Sequence, residues 1–469
     1  MRDAISGAGE LLALAGLPPE IVRSLRIARA DPVLPVPFHV GDRAAVAIGA
    51  AGLAAAHLWR LRGGEEQEVA VDVARAAVSL RSASYLRIDG MKPPAPWDPV
   101  SGFYRVRDGR SVSIHCNFPV HREAAARALG VAPERPAMER AALAWDGVAL
   151  EDAIHAAGGC AGFARTEVEW AAHPQSAAVA GQALLSIDRI GDAPPRPFPP
   201  GPSPLSGICA LDLTRVLAGP TCGRALAEYG ADVLKVNGPH LPDSGAVEFD
   251  TGVGKLSATL DLRDAGDAAR LRGLAAEADV FSQSYRPDTL AARGFSPSAL
   301  AAMRPGIVVT SLTAWGPTGP WAVRRGFDSI VQAVSGMAAR MGGDAGPRLL
   351  PVSAIDYISG YLMALGTMAA LARRATEGGA WHVRVSLART GQWIRDAGLI
   401  DDAAWMGLPA DLPEDEIARY CMESVSPSGV IRHLAPVAQL SATRGGWRRP
   451  PVAIGTHPAR WPSPREDAP

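Results

Sequence analysis

The chain has 469 residues, with 47 Lys and Arg against 48 Asp and Glu, a formal net charge of −1. Hydrophobic residues make up 48% and charged residues 20%, the balance of a soluble globular protein with material for two or three domains. A near-neutral chain lacks the basic excess of a broad polyanion-binding surface, so no nucleic-acid partner is expected.

Five cysteines (Cys116, Cys160, Cys209, Cys222 and Cys421) are scattered without a CxxC pair, which fits a reducing, cytoplasmic setting. The first residues include Asp3, Glu10 and Glu20 and do not read as a secretory leader. The most apolar stretch, 44–59, is short and rich in Ala and Gly. It reads as a buried helix, and no membrane partner is expected.

The first element group is an internal repeat. At an offset of 314 positions Asp42 meets Asp356, Gly52 meets Gly366, Arg60 meets Arg374, Gly64 meets Gly378 and Val69 meets Val383. Each copy reads as Asp, a small-residue helix, a Gly-containing turn and an alternating strand. Residues 1–95 are thus assigned to a helical segment holding a partial copy. Residues 96–190 read as a small α+β domain, opening on a hairpin whose turn is Asp108-Gly109. Residues 191–204 are Pro-rich and read as a linker.

From 205 to 395 strands and helices alternate. Strands are predicted at 208–216, 232–236, 258–262, 279–282 and 307–312, and helices at 221–229, 265–276 and 289–303. That order predicts an α/β fold with a doubly wound, mostly parallel, Rossmann-like sheet. Residues 396–469 are read as a tail returning to this large domain. After the first strand, Gly219 permits a tight turn and Pro220 suits a first helical position. Its N–H groups could face a phosphate. No GxGxxG is present and Asn237 stands where a dinucleotide fold often has an acidic residue, which argues against NAD.

The run from Leu211 to Pro220, followed by Tyr229-Gly-Ala-Asp-Val-Leu-Lys-Val236, resembles the opening of the class III CoA-transferases, the CaiB/BaiF group. Gly254-Lys255, Ala278-Asp279-Val280, Ser284-Tyr285-Arg286-Pro287, Ser311 to Pro320, Gly326-Phe-Asp328 and Asp356 follow in the family's order. The resemblance implies CoA moving between carboxylic acids, with acyl-CoA and an acid as partners and no prosthetic group. It also implies an interlocked homodimer. Asp356 matches the catalytic carboxylate, which would form an acyl anhydride and then an aspartyl-CoA thioester. From the residues alone, an Asp at the start of an apolar helix is equally an N-cap. CoA contacts are implied at Leu217, Ala218, Leu260, Arg263, Ser284, Tyr285, Arg286, Thr313 and Trp315.

Asp42 lacks a preceding strand–helix unit and is read as a structural remnant or cap. The order of the pieces suggests two family units fused and truncated. Two alternatives stand beside the transferase. One is a 2-methylacyl-CoA racemase, whose branch places a His where Phe327 stands here. The other is a non-catalytic CoA-binding homologue. His115, Cys116 and His121 form the nearest approach to a metal cluster, and no metal site is expected.

Overall fold

The computed structural model describes residues 2–94 and 97–462. Its centre is a seven-stranded sheet of β1 (Ser186–Gly191), β2 (Cys209–Leu213), β3 (Asp232–Asn237), β4 (Lys255–Thr259), β5 (Val280–Gln283), β6 (Val308–Thr313) and β7 (Ala380–Ser386). The order across the sheet is β4-β3-β2-β5-β6-β7-β1. The first six are parallel and β1 joins β7 antiparallel. Strand order reverses between β2 and β5, the switch point at which such sheets open a crevice beyond their carboxyl ends.

Separate cores cover the two faces. One contains Leu271, Leu274 and Leu300. The other is built around the long helices Val40–Leu61 and Ala354–Thr376. Both helices are long and apolar enough to cross a membrane by length and composition, and both lie mostly buried inside the protein. Each leads through a turn into a strand. Val69–Asp72 pairs with Leu25–Ala28 and Gln439–Leu440 in a sheet of its own, whereas β7 belongs to the main sheet.

A three-stranded antiparallel sheet, Gly102–Arg105, Ser111–Ile114 and Ala161–Phe163, has its own core around Tyr104, Met138 and Ile154. It docks on the helix Asp328–Val334, where the Arg165 N–H donates to the Ala333 carbonyl at 3.2 Å. That contact carries His115 and Phe118 to the rim of the main sheet.

Several boundaries differ from the sequence reading. The strand expected at 258–262 is Lys255–Thr259, because Asp261 folds back to accept the Arg263 N–H at 3.0 Å in a turn. The helix expected at 289–303 is divided. Gly294 sits at φ 87°, and Ser296 then caps a new helix, Pro297–Met303, by accepting the Ala299 N–H. Residues 186–190, assigned to the small domain, form with Gly191 a strand at the edge of the main sheet. The Pro-rich segment after it lies along the large unit: Arg196 pairs with Asp279 at 2.9 Å and the Gly379 N–H donates to the Ala193 carbonyl. The boundary expected at 95/96 falls outside the described residues.

Candidate active site

The turn after β2 is fixed from below by a buried ion pair. Lys255 Nζ lies 2.7 Å from Asp212 Oδ2 and donates to the Pro220 carbonyl at 2.7 Å. Asp212 Oδ1 accepts the Thr214 N–H at 2.9 Å. Burial alone would push the Asp212 carboxyl up; the Lys255 and Lys235 ammonium groups outweigh it and hold it below its usual range. Val216 then adopts φ 67°, a left-handed conformation that a β-branched residue rarely takes. Strain of this kind persists where the surroundings over-determine it, and functional sites are a common place for it. Val216 and Leu217 form part of the wall of a cavity of about 950 Å³.

Asp356 and Asp328 meet in this cavity. Ser353 holds the N-cap position of the helix Ala354–Thr376, so Asp356 is its third residue rather than its cap. The Asp356 N–H donates to Asp328 Oδ2 at 3.1 Å. Gln332 donates its amide to the other Asp328 oxygen and accepts the Leu350 N–H at 2.8 Å, joining the pair to the loop before Asp356. Burial pushes the Asp328 carboxyl up to about 6, against the N–H groups of Asp356 and Ile355 and the Gln332 amide, which favour its ionised form. Burial, then the Asp328 charge, raises Asp356 well above the ordinary carboxylate range. Two carboxyls this close titrate as a pair. Asp328 has the donors; Asp356 is the less solvated member and the more basic once ionised.

The helix of Asp356 can sit here because Gly360, one turn on, has no side chain. A Cβ at that position would press on the Ala218 carbonyl and lie 2.6 Å from Thr221 Cβ. Tyr357 donates to Asp250 Oδ2 at 3.1 Å, and the same oxygen accepts from Ser82 Oγ at 2.6 Å and Arg224 at 3.1 Å. This buried network ties the 82–85 segment to the first turn of the helix.

Aromatic rings close the other side. Phe327, next to Asp328, stacks flat on His115 with centroids 3.9 Å apart and 8° between planes. Trp97 meets His115 edge-on at 5.9 Å. Burial, then His121, pushes the His115 imidazole down to about 3. His121 is pushed down to about 4, by burial first and then by the guanidinium groups of Arg325, Arg215 and Arg286. These three arginines have no carboxylate partner among the described residues. They form a cationic patch beside the cavity, where Arg215 lies over the Phe118 ring.

Of the residues named from sequence, Leu217 and Asp356 line the cavity. Arg286 is exposed, beside the cationic patch. Ser284 Oγ accepts the Arg215 N–H at 3.2 Å, and Tyr285, packed against the second core, is raised by burial and opposed by Arg215. The others do not reach the cavity wall. Ala218 is buried beneath Gly360, and Leu260 is in the core. Arg263 is paired with Asp261 at 2.6 Å. Thr313 Oγ1 accepts the Gly316 N–H. Trp315 is 1% exposed, packs on Trp321 and donates to the Arg325 carbonyl. Asp328, Gln332, His115, Arg215 and Arg325 were missed as site residues. Asp328 was legible as part of the Gly-Phe-Asp element; the others depend on contacts between distant segments.

Asp42 lies elsewhere. It is the third residue of its helix, like Asp356, and its N–H donates to Asp31 Oδ2 at 2.8 Å, as that of Asp356 does to Asp328. His39 Nδ1 lies 3.2 Å from Asp42 Oδ2, and among the described residues Asp31, His39 and Asp42 are the one group close enough to share a metal ion. His115, Cys116 and His121 do not form such a group.

Residues 205–418 match the model for CoA-transferase family III. The acetyl-coenzyme A transferase nodX of Hypoxylon pulicicidum is 28% identical over 337 residues, 66% of this chain and 56% of that protein. The succinyl-CoA–D-citramalate CoA-transferase of Chloroflexus aurantiacus is 33% identical over 259 residues, 52% of this chain and 61% of its own. The crystal structure of Rv3272 from Mycobacterium tuberculosis is 31% identical with a TM-score of 0.40, covering 41% of this chain and 58% of that one. The chain spans about half the length of the first curated relatives it matches. Residues 205–418, which carry the β2 turn, the Gly-Phe-Asp element and Asp356, are thus the part of this chain that matches CoA-transferase family III.

Proposed function

We propose that the protein is an acyl-CoA:carboxylate CoA-transferase with Asp356 as nucleophile. The observation that carries this is the placing of Asp356 in a cavity at the carboxyl end of the sheet, beside a second carboxyl that raises its basicity. The Asp356 carboxylate attacks the acyl-CoA carbonyl, forming a mixed anhydride and releasing CoA thiolate. The thiolate attacks the aspartyl carbonyl, giving aspartyl-CoA thioester and the free donor acid. An acceptor carboxylate then attacks that thioester, and the returning thiolate takes the acceptor acyl group and frees Asp356. Relatives are named as succinate–glutarate, acetyl-CoA:oxalate and succinyl-CoA–D-citramalate CoA-transferases.

CoA enters this reading as substrate, with Leu217 at its reactive end and Arg286, Arg215 and Arg325 toward its phosphates. The remaining expected contacts (Ala218, Leu260, Arg263, Ser284, Tyr285, Thr313, Trp315) would have to act from behind the wall or after movement. The parallel placing of Asp42 and Asp356 supports an internal duplication in which one copy kept the cavity. Cytoplasmic location and a homodimer belong to the same proposal.

Incubation with acyl-CoA and hydroxylamine should give a hydroxamate at Asp356 by mass spectrometry, and Asp356→Ala should abolish exchange. Undiminished exchange in that variant would sink the proposal. Release of α-deuterium from a 2-methylacyl-CoA without exchange would instead favour racemisation.

A further inference from the structure

Resting on that reading, we infer that the acid served by this cavity is a monocarboxylic acid with an aromatic or branched apolar tail, not a dicarboxylate. The tail packs on Phe327, His115 and Trp97, in a cavity whose wall also holds Leu350 and Val352.

The argument begins with charge. Among the described residues, the cavity is lined by one cationic side chain, Arg81. It is taken: it pairs with Asp411 at 2.6 Å, donates to the Ala410 carbonyl at 3.1 Å and lies over the Tyr85 ring. Four carboxyls line the same space, at Asp98, Asp243, Asp328 and Asp356. His115, the one histidine in the wall, is held neutral by burial. A second carboxylate on the substrate would therefore lose its water against a wall that carries Asp243 and the Asp328–Asp356 pair and no free cation, Asp98 being paired with Arg122 and the arginines beside the cavity being assigned to the CoA phosphates.

Shape and surface complete the case. At about 950 Å³ the space is far larger than a two- to four-carbon diacid fills. Phe327 adjoins Asp328 in the chain, and Gln332 holds Asp328 and the Leu350 N–H together, so ring and aliphatic surfaces border the carboxyl pair itself. An acyl group on Asp356 has to lie against them. A flat ring would extend the Phe327–His115 stack, and branched chains would bury similar area.

The test uses the full chain with acetyl-CoA and an equimolar mixture of 3-phenylpropionate, isovalerate and succinate, with the acyl-CoA products resolved by mass spectrometry. The apolar acids should lead succinate by at least about tenfold, since a well-formed apolar pocket discriminates by that order per group. Phe327→Arg should narrow or reverse the ratio. Ligand-observed NMR gives a readout free of turnover: 3-phenylpropionate should bind, succinate should not displace it, and Phe327→Ala should weaken it. Exchange with succinate equal or preferred overturns the inference and leaves the transferase standing. Binding of 3-phenylpropionate without any exchange upholds the pocket and overturns the transferase. Neither binding nor exchange overturns both.

Discussion

Gly360→Ala is the smallest change that should move Asp356 without touching the cavity. The new methyl would meet Thr221 Cβ at 2.6 Å, where ordinary contacts begin at 3.4 Å, so the helices Ala218–Glu228 and Ala354–Thr376 must part by about 0.8 Å. The Ala218 carbonyl on the same side is backbone and cannot turn away. Overpacking of this kind costs about 1–3 kcal/mol, and the better helix propensity of Ala returns up to about 1 kcal/mol. The net expectation is a loss of about 1–2 kcal/mol, read as a lower urea midpoint with an unchanged slope. Asp356 lies one turn from the contact while Leu217 directly precedes the opposing helix. Displacements near 1 Å cost up to about 100-fold in rate, so kcat for CoA exchange should fall by roughly 10–100-fold. Gly366→Ala is the control. Its tight neighbours are side chains, Val383 and Leu185, rather than backbone, and it lies nearly three turns from Asp356, so it should lose stability like Gly360→Ala while keeping its rate. A Gly360→Ala protein with native midpoint and native rate would refute the close-packing argument.

Two further outcomes follow from the carboxyl chemistry. Lys255→Met leaves Asp212 buried at 1% exposure without its ion-pair partner, with only the charge of Lys235 nearby, which should cost about 3 kcal/mol in denaturant unfolding; Lys255→Met with Asp212→Asn should recover part of it. Asp328→Asn removes the charge that helps raise Asp356, so the ascending limb of the pH–rate profile should move to lower pH. The same variant should gain stability on the parent as pH rises. A carboxyl whose folded value is about 6 against 3.8 holds its proton more tightly folded than unfolded, and its ionisation weakens the fold progressively between those values and fully above pH 6. Unfolding of both proteins at pH 4 and 7.5 checks the sign.

The alternation of strands and helices after residue 205 was legible in the sequence because it is a local pattern of period and turn chemistry, and the Asp356 element and the resemblance to CoA-transferase family III were legible as short motifs in order. Strand ends at 255–259 and the broken helix after Gly294 escaped it, since a buried lysine and a surface aspartate read alike until their partners are known. Asp356 could be a cap or a nucleophile on sequence grounds; the fold gives the cap position to Ser353 and sets Asp328 beside Asp356, which leaves the nucleophile role as the proposal to test. Tertiary structure alone brought His115, from residues more than 200 positions before Phe327, onto that ring, and placed Arg215 with Arg286 and Arg325. Such contacts depend on how separate units dock, and docking is set by side-chain shape summed over whole faces, which no short run of residues records. The near-neutral charge of −1 gave no reason to expect a polyanion partner; only the folded chain showed those few arginines without carboxylate partners among the described residues, beside one cavity.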